Sequence, residues 1–127
     1  MAVPAEKLAA YRRGLRRRLD RTLTAAEKAT LEAARLEAVH VAETLVRQYG
    51  AKRAILFGSV AQNRRLRRDS DIDLAVEGMP VGNFYRLVGD LRTPSGRSVD
   101  LVRLETARES FRRLILVEGV LLAHDGE

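Results

Sequence analysis

Two neighbouring residues, Gly58 and Ser59, have the chemistry of a phosphate-binding corner. They follow the apolar run 53–57, which predicts a strand, and they precede a short helix predicted over 60–62. Glycine lets the backbone turn sharply and approach a ligand closely. Free backbone amides at a helix start, together with a serine hydroxyl, suit the oxygens of a phosphate group. The pair therefore predicts a contact with a phosphorylated ligand.

Three aspartates supply the second part of the pattern. Asp71 and Asp73 lie two residues apart on a strand predicted over 71–76, so both carboxylates point to the same side. Asp100 lies on another strand, predicted over 99–102. If these strands are neighbours, three carboxylates converge, and they repel one another unless a proton or a cation joins them. Such a set is typical of a site that holds Mg²⁺ for phosphoryl or nucleotidyl transfer.

Taken singly, each of these pieces has an ordinary structural explanation. A Gly-Ser pair is usually a turn, and Asp-x-Asp is more often a solvated strand edge or a turn cap. What favours a functional site is their order along the chain. A strand leads to Gly-Ser, a basic loop containing Arg64 and Arg65 follows, Asp-x-Asp lies on the next strand, and a third aspartate lies on another.

The rest of the chain provides the elements that must position these residues. The patterns of apolar residues predict strands over 53–57, 71–76, 99–102 and 120–123, and helices over 5–21, 25–48, 83–92 and 105–118. Thr24 and Glu27 form a capping box for the second helix. The side chains that we expect to face the core of the sheet and of the last helix are Ile72, Leu74, Val76, Phe111, Leu114 and Ile115.

The organisation that follows is an α/β (α+β) protein with a short mixed β-sheet flanked by helices. Residues 1–49 are predicted to be an N-terminal helical hairpin extension, because they are rich in helix formers and contain one proline and one glycine. Residues 50–127 are predicted to form the domain that carries the sheet.

The run 56–59 followed by 69–74 resembles the minimal nucleotidyltransferases, which are small members of the DNA-polymerase-beta-type nucleotidyltransferase superfamily. The resemblance covers about residues 50–124. It implies the nucleotidyltransferase fold, with ATP as co-substrate and Mg²⁺ as cofactor. It also implies that Gly58 and Ser59 hold the phosphates, that Asp71 and Asp73 bind the metal, and that Asp100 completes the catalytic and metal-binding triad.

The loop after Ser59 departs from the pattern of this family in two ways. Eleven residues separate the Gly-Ser pair from Asp71, where ten are common. Gln62 and Asn63 stand where arginine and glycine are often found. Arg64 and Arg65 could supply the missing positive charge to the nucleotide, and a solvated loop is an equally good interpretation of them.

Composition excludes several other classes of protein. The 127 residues include no cysteine, which excludes disulfides, zinc-thiolate sites and thiol nucleophiles. No apolar run is long enough to span a membrane, and we expect a cytoplasmic protein. The net charge is +6, which leaves nucleic acid, nucleotides and an acidic protein as partners. Aromatic residues amount to 5%, which argues against a protein that stacks single-stranded bases.

The resemblance implies an antitoxin of a type VII toxin–antitoxin pair, which transfers AMP from ATP to a tyrosine of a HEPN-type toxin. A first alternative is a non-catalytic antitoxin that neutralises the HEPN ribonuclease by binding it. A second is a nucleic-acid-binding regulator that uses the five arginines within residues 12–18. The complete set of Gly58, Ser59 and the three aspartates favours the enzyme, and the scarcity of aromatic residues disfavours the regulator.

Overall fold

The computed structural model describes residues 23–62 and 71–126. The helix predicted over 5–21, with the arginines within 12–18, and the loop residues Arg64 and Arg65 lie outside the described residues. The described elements are, in chain order, α1 (Ala25–Arg47), β1 (Arg53–Phe57), α2 (Gly58–Ala61), β2 (Ile72–Glu77), α3 (Val81–Leu87), β3 (Val99–Arg103), a 3₁₀ turn (Leu104–Thr106), α4 (Glu109–Glu118) and β4 (Val120–His124).

The four strands form one mixed sheet in the order β3-β2-β1-β4. The central strand β1 is antiparallel to β2 and to β4, whereas β2 and β3 are parallel. The connection between the two parallel strands contains α3. This architecture confirms the prediction of a short mixed sheet flanked by helices.

One face of the sheet is covered by α1. This helix begins at the predicted capping box, in which the Glu27 amide donates to Thr24 Oγ1 at 3.1 Å and the Thr24 amide donates to Glu27 Oε1 at 3.2 Å. Its buried side chains share a single core with alternate residues of the strands; this core includes Leu31, Ala38, Leu45, Leu56, Ile72, Leu74 and Val76. The division of the chain at residue 49 stays a prediction, and α1 packs directly on the sheet.

The opposite face of the sheet carries a much smaller buried cluster. Ile55 of β1 and Ala75 of β2 pack there with Leu104 and with Ile115 of α4. The same face carries the alternate strand residues that include the predicted site aspartates. The sheet is therefore closed on one side and largely open on the other.

The bounds of two predicted helices are wrong. The helix predicted over 83–92 is Val81–Leu87, and it ends early because Val88 is extended and Gly89 follows with a φ of +88°, so that the chain turns away. The helix predicted over 105–118 is divided, because Ala107 and Arg108 are extended. The 3₁₀ turn comes before this break and α4 after it.

The predicted inner face of α4 is also partly wrong. Ile115 is buried as expected, but Phe111 is 38% exposed and Leu114 is 49% exposed. Ile115 reaches the small cluster on the open side of the sheet, which offers few other positions to bury a side chain. None of the helices within residues 23–62 and 71–126 is long and apolar enough to cross a membrane.

Candidate active site

Asp73 and Asp100 lie side by side on neighbouring strands. The parallel register pairs Asp73 of β2 with Asp100 of β3, and the antiparallel register pairs Asp73 with Phe57 of β1. Residues in register point to the same side of a sheet. Asp71 comes one residue before β2 and is exposed, so the strand starts one residue later than predicted. The predicted adjacency of the two aspartate strands is confirmed.

The electrostatics of Asp73 reflect its burial and its two acidic neighbours. Its side chain is half-buried, and this burial is the main cause that raises the pKa of Asp73 from its ordinary value of 3.8 to about 6. The charges of Asp100 and then Asp71 raise this pKa further. A carboxylate held among like charges and away from water gains from any cation that can approach it.

Gly58 brings the backbone against the carboxylate of Asp73. Its φ is +77°, which favours glycine over residues that carry a Cβ. A Cβ on Gly58 would also run into the Oδ2 atom of Asp73, far inside van der Waals contact. Glycine is therefore required here for two reasons, backbone conformation and close approach. Ser59 follows directly in the first turn of α2, as predicted.

The donor atoms at this place fit a hard divalent cation. Asp71, Asp73 and Asp100 offer carboxylate oxygens, which are the ligands that Mg²⁺ prefers. Within the described ranges, 23–62 and 71–126, no three acidic or histidine side chains, these aspartates included, are close enough together to hold a metal ion between them. Mg²⁺ usually takes several of its ligands from water and from substrate phosphates, so a partial protein set suits it. The metal site at these three aspartates stays a prediction.

Sequence reasoning missed the side chains that α4 brings to the site. Gln62, at the end of α2, donates its Nε2 hydrogen to the carboxylate of Glu118 on α4. Phe111 packs edge-to-face on Phe57, with ring centroids 5.7 Å apart. These four side chains help to line a cavity of about 300 Å³ beside Gly58. No local pattern indicates such pairs, because Gln62 and Glu118 are 56 positions apart.

The position of the predicted phosphate-binding arginines is not described. Arg64 and Arg65 lie between α2 and β2, within the loop that falls outside the described residues. Their contribution of positive charge to a nucleotide stays a prediction. Gln62, the residue that stands where this kind of loop often has arginine, is directed to Glu118.

The chain is similar to a known protein family and to a named relative. The family model described as Polymerase beta, Nucleotidyltransferase matches residues 40–127. A relative from Methanocaldococcus jannaschii, named as a candidate protein adenylyltransferase (MJ0435), is 34% identical over 76 residues. That match spans 58% of this chain and 81% of the relative.

Two solved structures are similar to the chain in fold. A chain in a crystal structure of a toxin–antitoxin with AMP-PNP is 27% identical, with a TM-score of 0.56. A chain of a mutant MntA–HpeT toxin–antitoxin is 22% identical, with a TM-score of 0.54, and this likeness concerns the fold alone. Each match covers 71% of this chain and 74% of the solved chain.

Proposed function

The chain belongs to the polymerase beta nucleotidyltransferase family, and on that premise we propose that it transfers AMP from ATP to a hydroxyl group of a partner protein. The relative from Methanocaldococcus jannaschii bears the name of a protein adenylyltransferase, which supports AMP as the group transferred and a protein as its acceptor. The likeness to a toxin–antitoxin chain with AMP-PNP supports an ATP-type nucleotide.

The observation that carries this proposal is the register of Asp73 with Asp100 beside Gly58. It puts acidic side chains on two neighbouring strands, next to the turn at Gly58. A residue with a Cβ in place of Gly58 would displace the Asp73 carboxylate. Nucleotidyl transfer needs phosphate binding and charge neutralisation at one place. Gly58 and Ser59 would supply the phosphate contact, and a cation held by the aspartates would supply the neutralisation.

The roles of the residues follow from their chemistry. The backbone beside Gly58 and the hydroxyl of Ser59 would bind the terminal phosphates of ATP. Asp71, Asp73 and Asp100 would hold Mg²⁺, which when bound neutralises negative charge on the phosphates. Asp100 would also accept the proton of the acceptor hydroxyl or orient it. Arg64 and Arg65 would add positive charge near the departing group.

The reaction replaces a phosphoanhydride bond of ATP with a phosphoester bond to the acceptor. The acceptor oxygen attacks the α-phosphorus of ATP and forms a new P–O bond, while the bond from the α-phosphorus to the bridging oxygen breaks. Pyrophosphate leaves, and the hydroxyl proton passes to a base at the site. Positioning and electrostatic stabilisation supply most of the rate in such transfers.

The partner that we propose is a HEPN-type toxin, with a tyrosine as acceptor, so that the chain acts as the antitoxin of a type VII pair. Likeness to a chain of a toxin–antitoxin assembly supports a toxin as the partner. We propose that the helical extension over 1–49 contributes to the surface that meets it.

A non-catalytic antitoxin is the second candidate, and one observation favours it. Gln62 replaces an arginine that is frequent in the family, and its amide is engaged by Glu118. This replacement removes one positive charge from the region where the phosphates would lie. In this second case the chain would neutralise its toxin by contact and leave it unmodified.

The test is to incubate the chain with ATP, Mg²⁺ and the toxin-like product of a neighbouring gene, and to measure the intact mass of that partner. We expect a gain of one or more AMP units that disappears in Asp71→Asn and Asp100→Asn. Asp90→Asn is the matched control, because Asp90 is an exposed aspartate on the loop after α3. Tight binding of the partner with no gain in mass would establish the second candidate.

A further inference from the structure

Arg35 of α1 makes a two-pronged contact with the short helix α2. Its Nε and Nη2 atoms donate to the carbonyl oxygen of Val60 at 3.1 and 2.9 Å. The last carbonyls of a helix have no amide partner within that helix. A guanidinium that donates two hydrogens forms a charge-assisted contact, which is stronger and more directional than a neutral one. Arg35 therefore satisfies and fixes the end of α2.

The position of this contact links it to the site. Val60 is fully buried, and α2 is the element that starts with Gly58 and Ser59. Arg35 lines a groove together with Leu56 and Ala61, so its side chain lies beside β1 and α2. Any rotation or retreat of α2 would move the backbone of Gly58 relative to Asp73.

A second contact reaches the site region from the same part of α1. Glu37 accepts hydrogen bonds from the amide of Ser95 at 3.2 Å and from its hydroxyl at 2.9 Å. Ser95 lies in the turn that precedes β3, the strand of Asp100. Arg35 and Glu37 both lie before residue 40, where the match to the family model begins. This part of α1 thus contacts both segments that lead to the site residues.

We propose that Arg35 is a positioning residue of the active site: by holding the Val60 carbonyl it fixes α2, and with it the placement of Gly58 and Ser59 for the nucleotide phosphates. That the fixed backbone serves to bind nucleotide phosphates rests on the proposed function. That Arg35 fixes α2 rests on its contact with Val60. Because the two can fail separately, they are tested by separate measurements.

The first measurement is hydrogen exchange of the Gln62 amide, which donates to the Gly58 carbonyl at 3.1 Å, in the 127-residue chain without ligand. We expect Arg35→Met to lose protection there, and Arg47→Met, an equivalent change at an exposed position of the same helix, to keep it. Arg35→Lys keeps the positive charge but loses the paired donors of the guanidinium, so its protection should lie between those of the two variants. Unchanged protection of the Gln62 amide in Arg35→Met would overturn the proposal.

The second measurement is the affinity for ATP with Mg²⁺ and for inorganic triphosphate with Mg²⁺, by calorimetry. Loss of a charge-assisted contact that places the binding backbone should weaken both about tenfold in Arg35→Met, with Arg35→Lys partly restoring them. Loss of thermal stability with unchanged affinities would show a merely structural role and contradict the proposal. If Arg35→Met does not fold, Arg35→Lys decides both measurements.

Failure of the proposed function gives a different result. A wild-type chain that binds neither ATP nor triphosphate in the presence of Mg²⁺ would contradict the nucleotidyl-transfer proposal. The exchange measurement would still show whether Arg35 holds α2. If both nucleotide and triphosphate bind to wild type, and Arg35→Met weakens neither more than Arg47→Met does, the positioning role is wrong and the function stands.

Discussion

The two faces of the sheet are built from the same strands but differ in burial and in charge. On the closed face, which we define by its contact with α1, Ile72, Leu74 and Val76 of β2 are fully buried in the larger core. On the open face, Asp73 and Glu77 stay half-buried, and Ala75 between them is buried in the small cluster. The same alternation of a strand thus separates an aliphatic side from a charged side.

The difference shows where stability and chemistry reside in this molecule. The closed face removes large aliphatic side chains from water, which is the main favourable contribution to folding. The open face carries like charges close together, which costs stability. A site that must bind phosphates and a cation needs such charges and access to solvent. Burial of aliphatic side chains on the closed face offsets this loss of stability.

The largest expected effect concerns the glycine that touches Asp73. Gly58→Ala should lower AMP transfer by about a hundredfold or more, because the new Cβ displaces the Asp73 carboxylate from the site. Gly89→Ala is the matched control, since Gly89 also has a positive φ but has no atom within 4 Å of a built Cβ. Both variants should lose about 1–2 kcal/mol of stability from backbone strain. Equal activity of the two variants would contradict the role of the close approach.

The next effect compares one leucine from each face. Leu74→Ala should lower the free energy of unfolding by about 2–5 kcal/mol, because Leu74 is fully buried on the closed face. Leu114→Ala, on the 49% exposed side chain of α4, should change it by about 0.5 kcal/mol. Urea unfolding of both variants measures the difference. Similar losses would show that the open face is covered more completely than its exposure indicates.

A gain in stability is expected at Asp73. Its pKa of about 6 lies above the ordinary value of 3.8, so the folded state binds the proton more tightly than the unfolded state. This contribution to stability is complete below pH 4 and is lost as the pH rises through about 6.

Asp73→Asn removes that loss and should be more stable than wild type at pH 7.5 without metal, by about 1 kcal/mol after allowance for solvent screening of a half-exposed group. The difference should vanish near pH 4. Thermal unfolding at both pH values is the measurement. A variant less stable than wild type at pH 7.5 would show that burial and the neighbouring charges do not disfavour the Asp73 carboxylate.

The smallest effect comes from Glu77, which lies on the same side of β2 as Asp73. Arg53 Nε contacts Glu77 Oε1 at 2.8 Å, and this hydrogen bond is the main cause that lowers the pKa of Glu77. The stabilisation is therefore present above the ordinary pKa of glutamate and is lost as the pH falls through the lowered value. Glu77→Gln should cost less than about 1 kcal/mol at pH 7.5 and less still at pH 3, by urea unfolding. If Glu77→Gln were more stable than wild type, Glu77 would be destabilising like Asp73, and the prediction would be wrong.

Much of the fold was predictable because its signals are local. The capping box at Thr24 and Glu27 depends on residues three apart, and the alternation of β2 depends on neighbours two apart. The bounds of α3 were less predictable, because the helix stops according to the backbone conformation of two residues, Val88 and Gly89. The exposure of Phe111 was not predictable from the spacing of apolar residues in α4. It depends on how little sheet surface is left beneath that helix.

The sequence by itself determined which residues can do chemistry here: Gly58 and Ser59 after a strand, and three aspartates on or beside two later strands. These signals depend on residue type and on close neighbours along the chain. The tertiary structure decided which of them meet. The parallel register that pairs Asp73 with Asp100, and the contact of Arg35 with Val60, join residues about 25 or more positions apart. Such contacts depend on how strands align and how helices pack, because distant segments meet only when burial and hydrogen bonding choose one arrangement.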